Sequence, residues 1–474
     1  MPKLTGFERV PIPGPPTLPL FGPFLRFASF LDDPVGTILA LPKYGEVAAV
    51  VDQNPAIVCV FGAELNREVL TNPDRFHNPE DFFSGPPGSA RDRMREMVIT
   101  SNGENHKRLR RLIQPAFQRS ALDGYAADIT SLTGELLDSW PQNEVAPLDA
   151  LCRELALSIA VRCFYGIDVQ DEARELGRTL CEFVQIITSP ANILLPLDLP
   201  GLPYRRGVAL GEQLAARMMA LVEQKRAHGE ARDVMALVLS TRDETGRGLS
   251  SDELMALAVE LFIAGSETTT ATLTWALFLL DQHPEVLEEV EAEVREVLGD
   301  RVPTPADLAK LVLLDRVVKE TMRVLPTAPA LFMRVAAEDT RLAEKPIPKG
   351  ANVVVAPLIA HRDPVRYPEP RRFVPGRWQD LEPSPYAYLP FGGGPRMCSG
   401  ALFAAQSIRL VLAMVLQRFR PRTVDAVPID RLTRGNIMQS RRGVPMRLEK
   451  PSGRAAAPAR VRGDIRELVE LGAP

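Results

Sequence analysis

The stretch Phe391-Gly392-Gly393-Gly394-Pro395-Arg396-Met397-Cys398-Ser399-Gly400 decides how the rest of the chain is read. Three consecutive glycines let backbone N–H groups approach a point that side chains would crowd. Cys398 follows, and an apolar helical pattern runs from about Ala401 to Phe419. The cysteine therefore sits where a loop becomes a helix N-terminus. The loop N–H groups and the helix dipole both favour a thiolate there. A thiolate has two main uses: attacking an electrophile or ligating a metal.

Zinc fits poorly, because no second cysteine or histidine stands at ligand spacing near Cys398. A cofactor that brings its own other ligands and takes one sulfur from the protein fits better. Haem with an axial thiolate is that case. Arg396 is placed to meet an anionic edge of the same cofactor. A buried structural cysteine after a Gly-rich turn is the alternative these residues leave open. The stretch matches FxxGxRxCxG in full and resembles the haem-binding loop of the cytochrome P-450 monooxygenases, with Phe391, Arg396 and Cys398 at its defined positions.

The bulk composition suits an enzyme of that kind. The chain has 474 residues, 45% apolar and 24% charged, enough for a sizeable core. A net charge of −4 points to no nucleic acid and no broadly anionic partner surface. The five cysteines, Cys59, Cys152, Cys163, Cys181 and Cys398, are odd in number and widely spaced. That argues against a disulfide framework and for a reducing, cytoplasmic setting. Cys152, Cys163 and Cys181 sit among apolar residues and read as core. Residues 1–10 are polar, without an apolar spanning segment. Membrane-bound members of the resembled family carry an anchor helix there, so this chain resembles the soluble bacterial type, with no membrane anchor.

Residues 11–23 are Pro-rich and read as an extended strap anchored by Leu18, Leu20 and Phe21. Residues 46–61 read as a β-hairpin turning at Asp52-Gln53-Asn54-Pro55. Residues 77–102 read as a loop, which in the family lines the substrate pocket. A helix over 103–117 puts His106 and Arg110 on one face, four residues apart. Two such donors clamp the carboxylates of an anionic cofactor, or else form part of a solvated basic face. The segment resembles the family pattern GxxWxxxRRxxxPxF, with His106 in place of the usual tryptophan. By that resemblance His106 and Arg110 hold the haem. Lys107, Arg108 and Arg111 are left to steer an acidic electron-donor protein.

A second signal is a long helix. Ser250 and Glu253 form a capping box, and the apolar pattern runs to Gln282, roughly 45 Å at 1.5 Å per residue. Its middle, Ala264-Gly265-Ser266-Glu267-Thr268-Thr269-Thr270, breaks local rules. Glycine costs about 1 kcal/mol in a helix interior, and threonine hydroxyls bond back to carbonyls four residues earlier and bend the helix. For Thr268 that carbonyl is Ala264's. Small side chains let a flat cofactor lie against the backbone; a kinked packing helix with Glu267 in an ion pair is the alternative. The segment resembles the family's AGxETT oxygen-activation motif. That implies haem contact at Ala264 and Gly265, proton relay by Glu267, and a hydrogen bond from Thr268 to dioxygen.

Glu320 and Arg323 stand three residues apart on a helix over 312–323, and Arg377 follows later. They resemble the family's ExxR motif with its arginine partner, a structural triad rather than chemistry. Arg334 resembles an arginine that meets a haem propionate. Phe262, Ala328, Ala330, Leu331, Ile437 and Met438 are expected to wall the substrate pocket. The last two precede a terminal hairpin around Arg442-Gly443. The apolar segment 186–202 is either buried or binds something apolar, and the resemblance places the family's pocket lid there.

The fold expected is mainly α with a small β portion: one large haem domain over 1–450, then a linker and a short helix over 464–471. The resemblance implies haem b, dioxygen as co-substrate, and electrons from NAD(P)H. These arrive through a ferredoxin or flavodoxin plus reductase on separate chains. The expected reaction is hydroxylation or epoxidation of a lipophilic small molecule: a fatty acid, terpenoid, steroid or polyketide.

Overall fold

The capped long helix is the axis of the fold. Ser250 Oγ accepts from Glu253 N, the Glu253 side chain accepts from Ser250 N, and the helix runs unbroken over Ser251–Gln282. Both threads of the capping box are therefore present. The computed structural model describes residues 9–16, 22–81, 83, 85–166, 170–228, 233–451 and 456–471. Most of the long helix is buried, and Leu148–Tyr165 packs along its middle. Arg119–Asp138, Pro203–His228, Val312–Val324 and Ala401–Arg418 surround these two, giving a mainly α domain.

The β portion stands to one side. Val47–Val51 and Ile57–Val60 form the expected hairpin, pairing Val47 with Val60. The sheet continues through Asn352–Val355, Arg334–Ala336 and Phe76–His77. Residues 9–16 lie extended against it: Val10 N donates to Asp52 O at 2.7 Å and Ala49 N to Pro13 O at 2.8 Å. The strap is shorter than expected, because a helix over Gly22–Asp32 starts at Gly22 and Pro23, and proline is tolerated in a first turn. Leu18, Leu20 and Phe21 lie outside the described residues.

The expected terminal hairpin around Arg442-Gly443 is displaced. Arg431–Arg434 pairs with Ile437–Ser440 about a turn at Gly435, whose φ of 61° suits glycine. Pro445–Glu449 instead joins Val145–Pro147 and Arg420–Thr423 in another sheet. The short helix expected over 464–471 is a single 3-10 turn, Asp464–Glu467, because burial governs this segment. Ile465, Leu468 and Val469 are fully buried. Arg431 reaches Asp33, Asp464 and Glu467, and Arg362 Nη2 donates to Val324 O (2.7 Å) and Leu468 O (2.9 Å). The tail thus lies against the substrate-side hairpin.

Candidate active site

The cysteine loop is shaped by its glycines. Gly392 (φ 71°) and Gly394 (φ 66°) are left-handed, and a Cβ on Gly394 would lie 2.3 Å from Leu70 O. Cys398 N donates to Phe391 O at 2.9 Å and closes the loop. Burial pushes the Cys398 thiol up, against the pull of a Gly400 N–H and of Arg110. The thiol itself is exposed to the cavity, and a metal bound there would stabilise the thiolate expected from the helix N-terminal position.

Cys398 opens onto a cavity of about 320 Å³, lined across from it by Ala264, Gly265 and Thr268. Its rim carries His106, Arg110, Arg334 and Arg396, and among the described residues none of these forms an ion pair with a carboxylate. Arg334 Nη1 donates to Phe332 O and Arg396 Nη2 to Asn102 Oδ1, while Arg396 Nη1 is buried without a partner. Burial and the neighbouring guanidiniums push His106 down to about 4 and Arg334 and Arg396 to about 10. A basic cluster depressed in this way is short of negative charge. The two carboxylates of haem, with its flat ring between Cys398 and Ala264, fit the residues present.

The distal wall follows helical spacing: Leu257, Glu260, Leu261, Ala264, Gly265, Thr268, Thr269 and Thr272. Thr268 Oγ1 donates to Ala264 O at 2.8 Å, as the sequence predicts. Gly265 lines the cavity and has a further reason besides: its Cβ would lie 2.4 Å from Phe164 Cε2, so helix packing also demands glycine. Phe262 is fully buried and does not line the cavity: it falls at the edge of the lining face and packs into the core. Glu267 is turned away from the cavity. Its Oε1 accepts from Arg153 Nη1 and from the Cys181 thiol, both at 3.3 Å. Cys181 is therefore a partner of Glu267, whereas Cys152 and Cys163 are plain core. Glu260 was not singled out by motif, although its place four residues before Ala264 puts it on the cavity face.

Beneath the cysteine loop, Glu320 is saturated. It accepts from Arg323 Nε (2.9 Å) and Nη2 (2.8 Å), Arg377 Nε (2.9 Å), Val374 N (2.9 Å) and Trp378 Nε1 (2.9 Å). Arg323 also donates to the carbonyls of His361, Pro370 and Arg372. The triad forms as the resemblance implied, with Trp378 and Val374 N as additions only the fold reveals.

A second chamber of about 300 Å³ adjoins the first, sharing Leu331, Phe332 and Asn436 with it. Phe27, Phe30, Ile193, Ala330 and Met333 line it, and Ala328 lines the first. Ile437 and Met438 line neither. Met438 is fully buried, its N donating to Thr327 O and its O accepting from Trp275 Nε1, so the preceding turn faces the chamber instead. In the lid segment Leu195, Leu197 and Leu199 are exposed. The basic face is largely engaged within the chain: Arg108 bonds Asp243 and Glu253, Arg111 pairs with Glu244, and Lys107 with Glu104. Acids of the loop before the long helix take up the guanidiniums expected to face an electron donor.

A family profile described as "Cytochrome P450" matches residues 12–444. The chain belongs to the cytochrome P-450 family. This cytochrome P-450 is 32% identical over 401 residues to the cyclooctat-9-en-7-ol 5-monooxygenase of Streptomyces melanosporofaciens, covering 82% of this chain and 86% of that one. It is 30% identical over 367 residues to the pentalenene oxygenase of Streptomyces avermitilis, covering 75% and 80%. The solved "Retinoic acid bound cyanobacterial CYP120A1" shares its fold with a TM-score of 0.81 at 24% identity, over 94% of this chain and 100% of that one. The protein is thus a haem-thiolate monooxygenase of the cytochrome P-450 family that uses haem iron and dioxygen on a lipophilic small molecule. Two helices, Ser251–Gln282 and Ala401–Arg418, are long and apolar enough to cross a membrane, and both are mostly buried inside the domain.

Proposed function

We propose that this cytochrome P-450 hydroxylates or epoxidises a terpenoid, with NAD(P)H electrons delivered in the cytoplasm by a ferredoxin or flavodoxin and its reductase. The relatives named for a cyclooctatenol and for pentalenene support the substrate class, as do the apolar walls of both chambers. When bound, haem supplies the redox-active iron at which dioxygen is activated, and a thiolate ligand favours O–O cleavage. Cys398 is the ligand. His106, Arg110, Arg334 and Arg396 would hold the carboxylates, and Phe391, Ala264 and Gly265 would bound the ring.

The chain's own contribution is positioning and proton supply. Thr268 presents its hydroxyl oxygen to the cavity while its proton rests on Ala264 O. Glu267, held by long contacts to Arg153 and Cys181, is the carboxylate that moves protons from the interior of the domain toward Thr268. Glu320, Arg323 and Arg377 hold the floor under the cysteine loop. One observation carries this reading: Cys398 lies across a cavity from Ala264 and Thr268, with guanidiniums at its rim that pair with no carboxylate among the described residues.

The test has two arms. The purified protein, reduced under carbon monoxide, is expected to show a thiolate-type Soret band, absent in Cys398→Ser. Thr268→Ala is expected to keep that band and divert most reducing equivalents to peroxide, because the hydroxyl that supports proton delivery is gone. An unchanged ratio of product to NAD(P)H consumed would remove Thr268 from the mechanism.

A further inference from the structure

Glu260 is a half-buried carboxylate on the active-site wall that neither the iron ligand set nor the proton path uses. It lies one helical turn before Ala264 and two before Thr268, on the same face, and it lines the same cavity. Its two oxygens accept from consecutive backbone N–H groups: Val98 N to Oε2 at 2.7 Å and Ile99 N to Oε1 at 3.0 Å. Among the described residues no cation pairs with it. Burial pushes its carboxyl up to about 7, against the pull of those two N–H groups.

Val98 and Ile99 themselves line the cavity, in a segment without helix or strand. Neighbouring amides are satisfied locally, since Thr100 N and Ser101 N both donate to Met97 O. The amides of Val98 and Ile99 point instead at Glu260. Ile99 O accepts from Asn78 Nδ2, and Asn102 Oδ1 accepts from Asn78 N and Arg396 Nη2. The wall is thus hung between the long helix on one side and the Asn78–Asn102 pair on the other. Each of the two adjacent N–H groups meets its own oxygen, a match that the two acceptor oxygens of a carboxylate provide.

We propose that Glu260 is a specificity-determining positioning residue: its carboxylate seats the Val98–Ile99 wall opposite the reacting carbon and so selects which part of the substrate is oxidised. This rests on the monooxygenase reading above. Glu260→Gln leaves one acceptor and aims an NH₂ group at the other amide. Glu260→Asp keeps both acceptors on a shorter stem.

The test titrates the haem-loaded protein with two azoles. Imidazole reaches the iron without touching the wall, whereas clotrimazole fills the space beside it. Glu260→Gln is expected to weaken clotrimazole at least about fivefold, the equivalent of one buried hydrogen bond, with imidazole within about twofold. Glu260→Asp is expected to recover part of the loss. Amide hydrogen exchange over residues 94–102 is expected to quicken in Glu260→Gln, a readout independent of turnover, and the product isomer ratio of any accepted terpenoid is expected to shift. Unchanged exchange and unchanged clotrimazole affinity overturn the proposal. So does an equal loss for both azoles, which marks a merely structural role. Failure of the monooxygenase reading is separately visible, as wild-type protein without a thiolate-type carbon monoxide band.

Discussion

Two buried glutamates, neither of them lining the cavity, are held in opposite ways. Glu320, beneath the cysteine loop, is fully buried and receives five hydrogen bonds of 2.8–2.9 Å from two arginines, an indole and a backbone amide. Glu267, on the long helix, is 7% exposed and has two contacts at 3.3 Å, one of them a thiol. A buried charge saturated by short bonds has nowhere else to go; one held by long bonds can exchange partners at small cost. The first arrangement suits a fixed floor for a metal ligand. The second suits a group that must hand on a proton.

Removing Glu320 is the harshest way to break this contrast. Glu320→Ala leaves the Arg323 and Arg377 guanidiniums unpaired in the core, a loss on the order of 3–5 kcal/mol. The expected outcome is a protein that retains little haem, read from the ratio of Soret to protein absorbance. Retention equal to wild type would mean that the triad does not support the loop. A milder change sharpens the other side. Glu267→Gln is expected to leave the carbon monoxide band and thermal midpoint near wild type while lowering coupled product formation about 10- to 100-fold. A matching drop in stability would place Glu267 with Glu320 as scaffold.

The smallest effect expected is on acid stability. Burial, with Arg323 and Arg362 nearby, depresses His361 to about 3, and its Nε2 accepts from Leu389 N just before the cysteine loop. A base whose folded pKa lies below its unfolded value gives full stability above about 6.5 and loses it as pH falls, by about 1.4 kcal/mol per pH unit for one proton. Glu260 acts in the opposite sense between about 4.5 and 7, because its carboxyl is raised in the fold. With His106 and His283 also depressed, the histidines outnumber it. Denaturant midpoints should therefore fall from pH 7 to pH 5. A flat or rising profile would show that Glu260 dominates.

Much of this was legible in the sequence, and the physics explains which parts. The capping box at Ser250, the Thr268 bond to Ala264 and the Glu320–Arg323 pair are local, so spacing alone placed them. Contacts made across the chain were not legible. Glu260 meets amides more than a hundred residues away, and Gly265 answers to Phe164 as well as to any cofactor. The side on which Phe262 and Met438 face depended on helix rotation and on a turn at Gly435 rather than at Gly443. Cys181 looked like core because a thiol beside a carboxylate leaves no pattern in sequence.

The buried tail sets an order of events during synthesis. Ile465, Leu468 and Val469 fill the core, and Arg431 joins that segment to Asp33 near the other end of the described chain. A ribosome makes such a segment only after the hundreds of residues it packs against, at roughly 5–20 residues per second. The nascent protein must therefore wait with an open seam beside its first helices, and any capture of haem before that moment happens in a molecule not yet sealed.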